Sequence, residues 1–313
     1  LPICDHRTTR TLPSTAKYAI IGSGITGASI AYKLLKEKPN ASIVILAARQ
    51  ASSGASERNG GHRRAGRYLE FKQYVDAFGK EDALKCETLE EDNVKNMGKL
   101  IRELGIECDL KDVETVNIFT DPVQWEMALE ALQARKEVLE GNFETEVLIK
   151  HRVWSAKETR EELLIPAGVG AISFPAYALS PYKFVCAILE ICIKKGANLQ
   201  TKTPVVEVSQ HSTRDSKNRW VVHTERGDIT TEKVILATNA YAAAIYPPAD
   251  EFIIPIRAQV AAVRPGSNIS NNPALKRTIG LNSAISGDYM QSRAEGFFGA
   301  GDMIIGAFLT FHP

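Results

Sequence analysis

Hydrophobic and polar positions change period several times along the chain, and each change predicts an element. The apolar run from Lys17 to Ile21 breaks at Gly22, after which Ala28, Ala31, Leu34 and Leu35 recur at helical spacing until Pro39. Ser42 to Leu46 then supplies a β-branched run suited to a buried parallel strand, so the stretch reads as a βαβ unit. From Glu81 to Leu104, the residues Leu84, Leu89, Val94, Met97, Leu100 and Ile101 form an amphipathic helical pattern that stops at Gly105. Another helix is predicted from Asp121-Pro122 toward Gly141, and Ser155 with Glu158 forms a capping box for a shorter one ending before Pro166. Ser180 and Pro181 place an N-cap and a first-turn proline ahead of a nearly all-apolar, hence buried, helix from Tyr182 to Lys195, closed by Gly196. Strands are predicted over Thr203–Val208, Arg219–Thr224 and Lys233–Thr238, with Arg226-Gly227-Asp228 turning between the last two. Pro255 to Val263 alternates apolar and polar residues, as a strand of an antiparallel sheet would.

Composition sets outer bounds. A chain of 313 residues, 44% hydrophobic and 24% charged, has the size and make-up of two globular domains. Its 38 basic and 37 acidic side chains nearly cancel, so no net field favours nucleic acid or an anionic membrane, and neither partner is expected. Apolar runs stay well short of the roughly 18 residues of a membrane span, and Leu1 to Arg10 has no signal-peptide core, which predicts a cytoplasmic protein. The sequons at Asn40 and Asn268 are then unused. Five cysteines, Cys4, Cys86, Cys108, Cys186 and Cys192, are odd in number and lack metal-ligand spacing, so free thiols and no metal are expected. Cys186 and Cys192, six residues apart in one helical segment, do not share a face.

Candidate chemistry concentrates at Gly22-Ser23-Gly24-Ile25-Thr26-Gly27, which fits G-x-G-x-x-G between the predicted strand and helix. The first glycine permits a tight turn, the second a close approach to a pyrophosphate and the third close helix packing, with helix amides directed at the phosphates. Such a loop alone is compatible with a NAD-dependent dehydrogenase. A Rossmann unit also places an acidic residue at the end of the second strand to accept hydrogen bonds from ribose, and that position here is Ala47.

The run from Tyr18 to Gly61 resembles the opening of the FAD-dependent oxidoreductases of the D-amino-acid oxidase and glycine oxidase superfamily. The group that includes gamma-glutamylputrescine oxidase-like enzymes is the most similar. The resemblance continues through His62 to Tyr68 and Val169 to Pro175, then Val234 to Tyr241 and Ile254 to Gln259. It implies an α/β fold: a Rossmann-like FAD-binding domain with a parallel sheet, formed by residues 15–65 and 176–250, and an α+β substrate domain with an antiparallel sheet, formed by 66–175 and 251–313. By the same resemblance Gly22, Ser23, Gly24, Ile25, Thr26 and Gly27 hold pyrophosphate, and Ala47, Ala48 and Arg49 lie by the adenosine half. Ser53, Ser56, Arg58, Asn59, Gly60 and Gly61 run along the ribityl chain, Val205 meets adenine, and Ala237, Thr238 and Asn239 form a further cofactor turn. His62 and Arg63 fall close to the isoalloxazine as catalytic candidates, His62 having a structural hydrogen-bonded role as its alternative. Arg63, Arg64 and Arg67 read either as a solvated basic patch or as binders of a substrate carboxylate. The implied reaction is oxidation of an amine or amino acid to an imine with release of hydrogen peroxide. Aromatic residues of the substrate domain, Phe119, Phe174, Tyr177 and Tyr289, read as core.

Three departures point the other way, toward a family member that has lost FAD and serves as a non-redox catalyst or binding protein. Ala47 replaces the usual glutamate, at a cost on the order of 1.5 to 3 kcal/mol of cofactor affinity. Glu57 stands where the family commonly has glycine. The sequences it resembles continue well past the hairpin at Tyr289–Arg293 and Gly299–Gly306, which implies an open site and an exposed sheet edge for a fragment or pseudogene-like product.

Overall fold

The computed structural model describes residues 3–140, 150–211, 219–256, 258–266, 276–283, 286–293 and 299–309. Gly141, Arg257, Asn268 and the side chain of Arg67 lie outside the described residues. The chain divides into two compact units, residues 1–59 with 181–256 and residues 60–180 with 257–313. Elements are numbered along the whole chain. Among the described residues no helix is long and apolar enough to cross a membrane, and the five cysteines are free thiols.

In the first unit, β1 (Thr15–Ile21), α1 (Ile25–Glu37) and β2 (Ile43–Leu46) form the βαβ unit. Four consecutive residues of β1 and all four of β2 are buried, because parallel strands are covered on both faces. The sheet order is β7-β2-β1-β10-β9-β8. Here β7 (Asn198–Gln200) and β10 (Gly227–Leu236) run parallel with β2 and β1. The strands β9 (Trp220–Thr224) and β8 (Val205–Gln210) add an antiparallel ribbon, so the sheet is mixed rather than purely parallel. Helix α6 (Pro181–Lys194) packs on α1 and buries Phe184, Val185, Cys186, Ile188, Leu189 and Cys192, the outcome its continuous apolar sequence predicts. The strand expected at Lys233 is the second half of a ten-residue strand, and the turn before it is formed by Glu225 and Arg226. Gly227 already opens the strand. The strand expected at Thr203 begins at Val205 instead, since Thr203 spends its amide on the Ala47 carbonyl.

The second unit is a sheet of order β11-β14-β13-β12-β4-β6-β3, with β5 also pairing β6. Its strands are β3 (His62–Arg63), β4 (Lys111–Phe119), β5 (Arg152–Trp154), β6 (Gly170–Ala178), β11 (Gln259–Val263), β12 (Thr278–Asn282), β13 (Ser286–Ser292) and β14 (Met303–Leu309). All pairings are antiparallel except β12 with β4. One face packs Val116, Ile118, Trp154, Leu163, Ala171 and Ile279, while Phe119, Ile172 and Phe174 pack with Tyr68 and Ala128 on the other. Around it lie α2 (Phe71–Phe78), α3 (Lys80–Glu103), α4 (Pro122–Leu139) and α5 (Ala156–Glu162). The capping box of α5 forms in both directions, Ser155 Oγ accepting from Glu158 N and Glu158 accepting from Ser155 N.

Two expectations fail in this unit. The inward stripe of α3 is Ala83, Glu87, Glu91, Val94, Gly98 and Ile101, whereas Leu89 is 67% exposed. Arg135 of α4 decides the matter: its buried guanidinium pairs with both Glu87 and Glu91, and rotation of the helix toward it turns Leu89 out. The alternating segment Pro255–Val263 forms a strand only from Gln259, and all five residues are exposed at the sheet edge. With no strand paired on its outer side among the described residues, alternation there does not sort residues into buried and open.

Candidate functional site

The first unit turns its chain where β1 ends. Gly22 has φ of +113°, and a Cβ there would sit 2.2 Å from the Ala237 carbonyl oxygen at the end of β10, so only glycine fits. A Cβ on Gly27 would sit 2.0 Å from the Gly22 carbonyl oxygen, which shows how closely α1 is drawn onto the turn. β1 lies between β2 and β10, the place where strand order reverses and open α/β sheets bind ligands at the carboxyl ends of their strands. The helix begins without a side-chain cap from Gly24. Ser56 Oγ instead accepts from Ile25 N at 2.9 Å, and the first-turn amides beyond it have no intrahelical acceptor.

The serine-rich segment after β2 closes around this turn. Ser23 Oγ accepts from Ser52 N at 3.2 Å. Ser52 is buried with φ of +60°, and its Oγ has no hydrogen-bond partner among the described residues. The same holds for Thr238 Oγ1, just past the Ala237 contact. Ser53 and Asn59 brace the segment locally, Ser53 O accepting from Arg58 Nε and Asn59 Nδ2 donating to the carbonyls of Ala55 and Ser56. Ala47 is 4% exposed at the end of β2 and puts no carboxylate there. Ala48, Arg49, Glu57 and Asn239 are exposed, and Val205 opens β8 opposite Thr224. Sequence reasoning missed Ser52, whose signal is only the serine pair at 52 and 53.

Gly60, Gly61, His62 and Arg63 belong to the second unit. Gly60 N donates to the Tyr289 hydroxyl at 3.1 Å, and a Cβ on Gly60 would enter the Tyr289 ring, so this glycine and tyrosine require each other. Gly61 O accepts from Leu179 N. His62 Nε2 lies 2.7 Å from Thr115 Oγ1 and 2.6 Å from Thr278 Oγ1, joining β3, β4 and β12. Burial, reinforced by the Arg64 guanidinium, pushes the imidazole down to about 3, so it is neutral at physiological pH. Arg64 donates to Asn117 Oδ1, and Asn117 Nδ2 donates to the Tyr68 hydroxyl at 2.6 Å. Burial pushes the Tyr68 phenol up and disfavours the charge on Arg64. Arg63 Nε is buried without a hydrogen-bond partner among the described residues.

A second polar group in this unit was invisible in the sequence. Arg135 pairs with Glu87 and, at 3.2 Å, with Glu91. His151 stacks 4.3 Å from the Tyr68 ring and 5.0 Å from that of Phe174. Burial and then Arg135 push His151 down to about 3.

A family model described as "DAO: FAD dependent oxidoreductase" matches residues 17–312. Over 257 residues the chain is 23% identical to the probable oxidoreductase OrdL of Haemophilus influenzae, covering 80% of this chain and 56% of that protein. The chain thus spans little more than half the length of this curated relative. Among solved structures it is similar to glycine oxidase from Geobacillus kaustophilus, with a TM-score of 0.70 at 19% identity, covering 95% of this chain and 72% of that one. It is also similar to L-amino acid deaminase from Proteus vulgaris, with a TM-score of 0.63 at 16% identity over 96% of this chain and 62% of that one. A third is L-alpha-glycerophosphate oxidase from Mycoplasma pneumoniae with FAD bound, with a TM-score of 0.63 at 13% identity over 95% of this chain and 72% of that one. At these identities the structures attest the shared fold.

Proposed function

Since the chain belongs to the FAD dependent oxidoreductases of the DAO family, we propose that it binds FAD in its first unit and oxidises an amine or amino acid to an imine, with release of hydrogen peroxide. Within the family we assign it to the gamma-glutamylputrescine oxidase-like group, on the resemblance of the runs at Tyr18–Gly61 and His62–Tyr68. The observation that carries the reading is the turn at Gly22, where two backbone approaches that no side chain could share stand beside two buried hydroxyls, Ser52 Oγ and Thr238 Oγ1, that lack hydrogen-bond partners among the described residues. A buried polar group without a partner costs stability, and cofactor oxygens would satisfy both hydroxyls. Gly22 to Gly27 would hold pyrophosphate with the amides of α1, Ser52, Ser53 and Ser56 would line its path, and Ala47 to Arg49 with Val205 would meet the adenosine half. When bound, FAD supplies the acceptor for a hydride from the carbon beside the substrate nitrogen and passes the electrons to oxygen.

The second unit's share is binding. Arg63, with its unpaired buried Nε, is the group we assign to a substrate carboxylate. His62 would act as a neutral hydrogen-bonding group, since its low pKa makes it a poor store of protons. Ala47 favours a second reading, a family member that no longer retains FAD and binds its ligand without redox chemistry, because the ribose is left without its carboxylate. Peroxide release from FAD-supplemented protein, measured over a panel of amino acids and amines, separates the two. Turnover with any of them supports the oxidase; FAD uptake with no flavin bleaching by any of them under anaerobic conditions contradicts it.

A further inference from the structure

The segment before β1 is bonded at almost every residue to β7 and the stretch that follows it, and at Cys4 and Asp5 to the loop that follows β2. Arg7 forms an antiparallel bridge with Gln200, outside the edge strand β7. Thr8 N donates to Leu199 O at 2.9 Å, and the Thr8 hydroxyl accepts from Leu199 N. His6 O accepts from both the amide and the hydroxyl of Thr201. Arg7 donates to the carbonyls of Thr201 and Lys202, and Lys202 N in turn donates to Arg49 O. Asp5 takes Lys202 Nζ at 2.9 Å and Gln50 Nε2 at 3.3 Å. Cys4 O accepts from Ala51 N at 2.9 Å, and the next amide, Ser52 N, donates to Ser23 Oγ of the glycine turn. Cys4 Sγ lies 2.9 Å from the Tyr182 hydroxyl of α6, and Ile3, only 3% exposed, anchors the end of the segment.

We propose that residues 3–8 are a clasp that holds the loop 47–52 in its cofactor-binding shape and so sets the affinity for FAD; this rests on the FAD reading above. A loop of this kind, joined to the sheet at one end only, would otherwise sample other shapes, and affinity falls in proportion to the time spent in them. The clasp restrains the loop at two places, at Arg49 through Lys202 and at Gln50 and Ala51 directly. This matters more here than with a carboxylate at position 47, because ribose is left to contacts that depend on the loop. The Asp5–Lys202 pair is exposed and contributes little by itself. The backbone bonds and the buried Ile3 carry most of the effect, and the Arg7 side-chain bonds to the carbonyls of Thr201 and Lys202 carry the rest.

The test uses the full chain with Ile3→Asp, which puts a charge at the buried anchor, and separately the exposed double substitution Asp5→Ala with Arg7→Ala, which removes side-chain bonds without touching the core. FAD affinity is measured by flavin fluorescence, amide exchange at Ala51 and Ser52 by mass spectrometry, and overall stability by thermal unfolding. If the loop is left competent a tenth of the time, Ile3→Asp weakens FAD about tenfold, and the double variant weakens it about two- to threefold. Exchange at Ala51 and Ser52 should rise in both, while the unfolding midpoint of the double variant stays near that of the unaltered chain. Should Ile3→Asp fail to fold, the double variant alone decides. Faster exchange with unaltered FAD affinity overturns the proposal, as does unaltered exchange. A failure of the FAD reading itself is recognised separately, because the unaltered chain would then take up no FAD either.

Discussion

The turn at Gly22 and the buried ion pairs that link α3 to α4 both depend on close contacts, but the rules that make them legible are opposite. At Gly22 the backbone alone dictates the residue: φ of +113° and a carbonyl 2.2 Å from any Cβ leave glycine as the one choice, and six consecutive residues display it. In α3 the local pattern points to leucines as the inward face, while the buried positions include Glu87 and Glu91 and the guanidinium that neutralises them comes from Arg135, 48 and 44 residues away. Backbone constraint is written locally. Compensated charge is written in two places, and neither is informative without the other.

Substitutions can break either half of this contrast. The largest effect is expected from Gly22→Val, which should lower stability by at least about 3 kcal/mol through the strained dihedral and the clash with Ala237, and should abolish FAD uptake. Urea unfolding with a flavin spectrum checks both; retention of FAD would show that the turn can relax. Arg135→Met comes next, at about 3–5 kcal/mol, because it strands the buried Glu87 carboxylate and leaves Glu91 with Lys95 at 3.5 Å. Burial already pushes the Glu87 carboxyl up against the opposing pull of Arg135. A group raised above its unfolded value favours the folded state at low pH and loses that advantage as pH rises through the folded value. The deficit of Arg135→Met in urea unfolding should therefore shrink as pH falls, and a deficit independent of pH would count against buried charge as its cause.

A smaller gain sharpens the first half of the contrast. Ala47→Glu should restore the ribose contact and tighten FAD by about 1.5–3 kcal/mol, ten- to hundredfold, if the buried position accommodates the longer side chain. Isothermal titration would register it, and no gain would place the weakness elsewhere, with Glu57 the first residue to examine. The remaining effect is a slope, the smallest of these over any single pH unit. His62 and His151 both fall to about 3 in the folded chain from an ordinary 6.5. The unfolded chain therefore binds more protons between those values, and stability present above pH 6.5 is lost as pH falls through that window. Each histidine contributes up to about 1.4 kcal/mol per pH unit. His62→Gln or His151→Gln should flatten the profile of unfolding free energy against pH, and an unchanged slope would place the acid sensitivity in other groups.

Legibility in the sequence followed the same division. The βαβ unit, the capping box at Ser155 and the proline-started helix at Pro181 all rest on signals within a few residues, and each is present; the hairpin of β13 and β14 is expected from the family resemblance alone, and its strands do pair. Strand β4 was not anticipated, because it is buried over its last five residues and so shows no alternation, and it carries Glu114, Thr115 and Asn117 amid its apolar positions. Its neighbours β6 and β12 lie far along the chain, and pairing at that range leaves no local mark. The cluster of His62 with Thr115 and Thr278 has the same cause, with partners 53 and 216 residues away. In the first unit the glycines named the turn, but the Ser52 hydroxyl, without a partner among the described residues, and the contacts of residues 3–8 could be recognised only once the segments were in contact.

The central claim is that the turn at Gly22 and the hydroxyls around it still hold FAD despite the alanine at position 47. The most direct measurement is titration of the purified chain with FAD, followed by gel filtration and a visible spectrum of the protein peak. The account predicts flavin absorbance travelling with the protein at one FAD per chain. A colourless peak after incubation with millimolar FAD, from protein that is folded by circular dichroism, would contradict it.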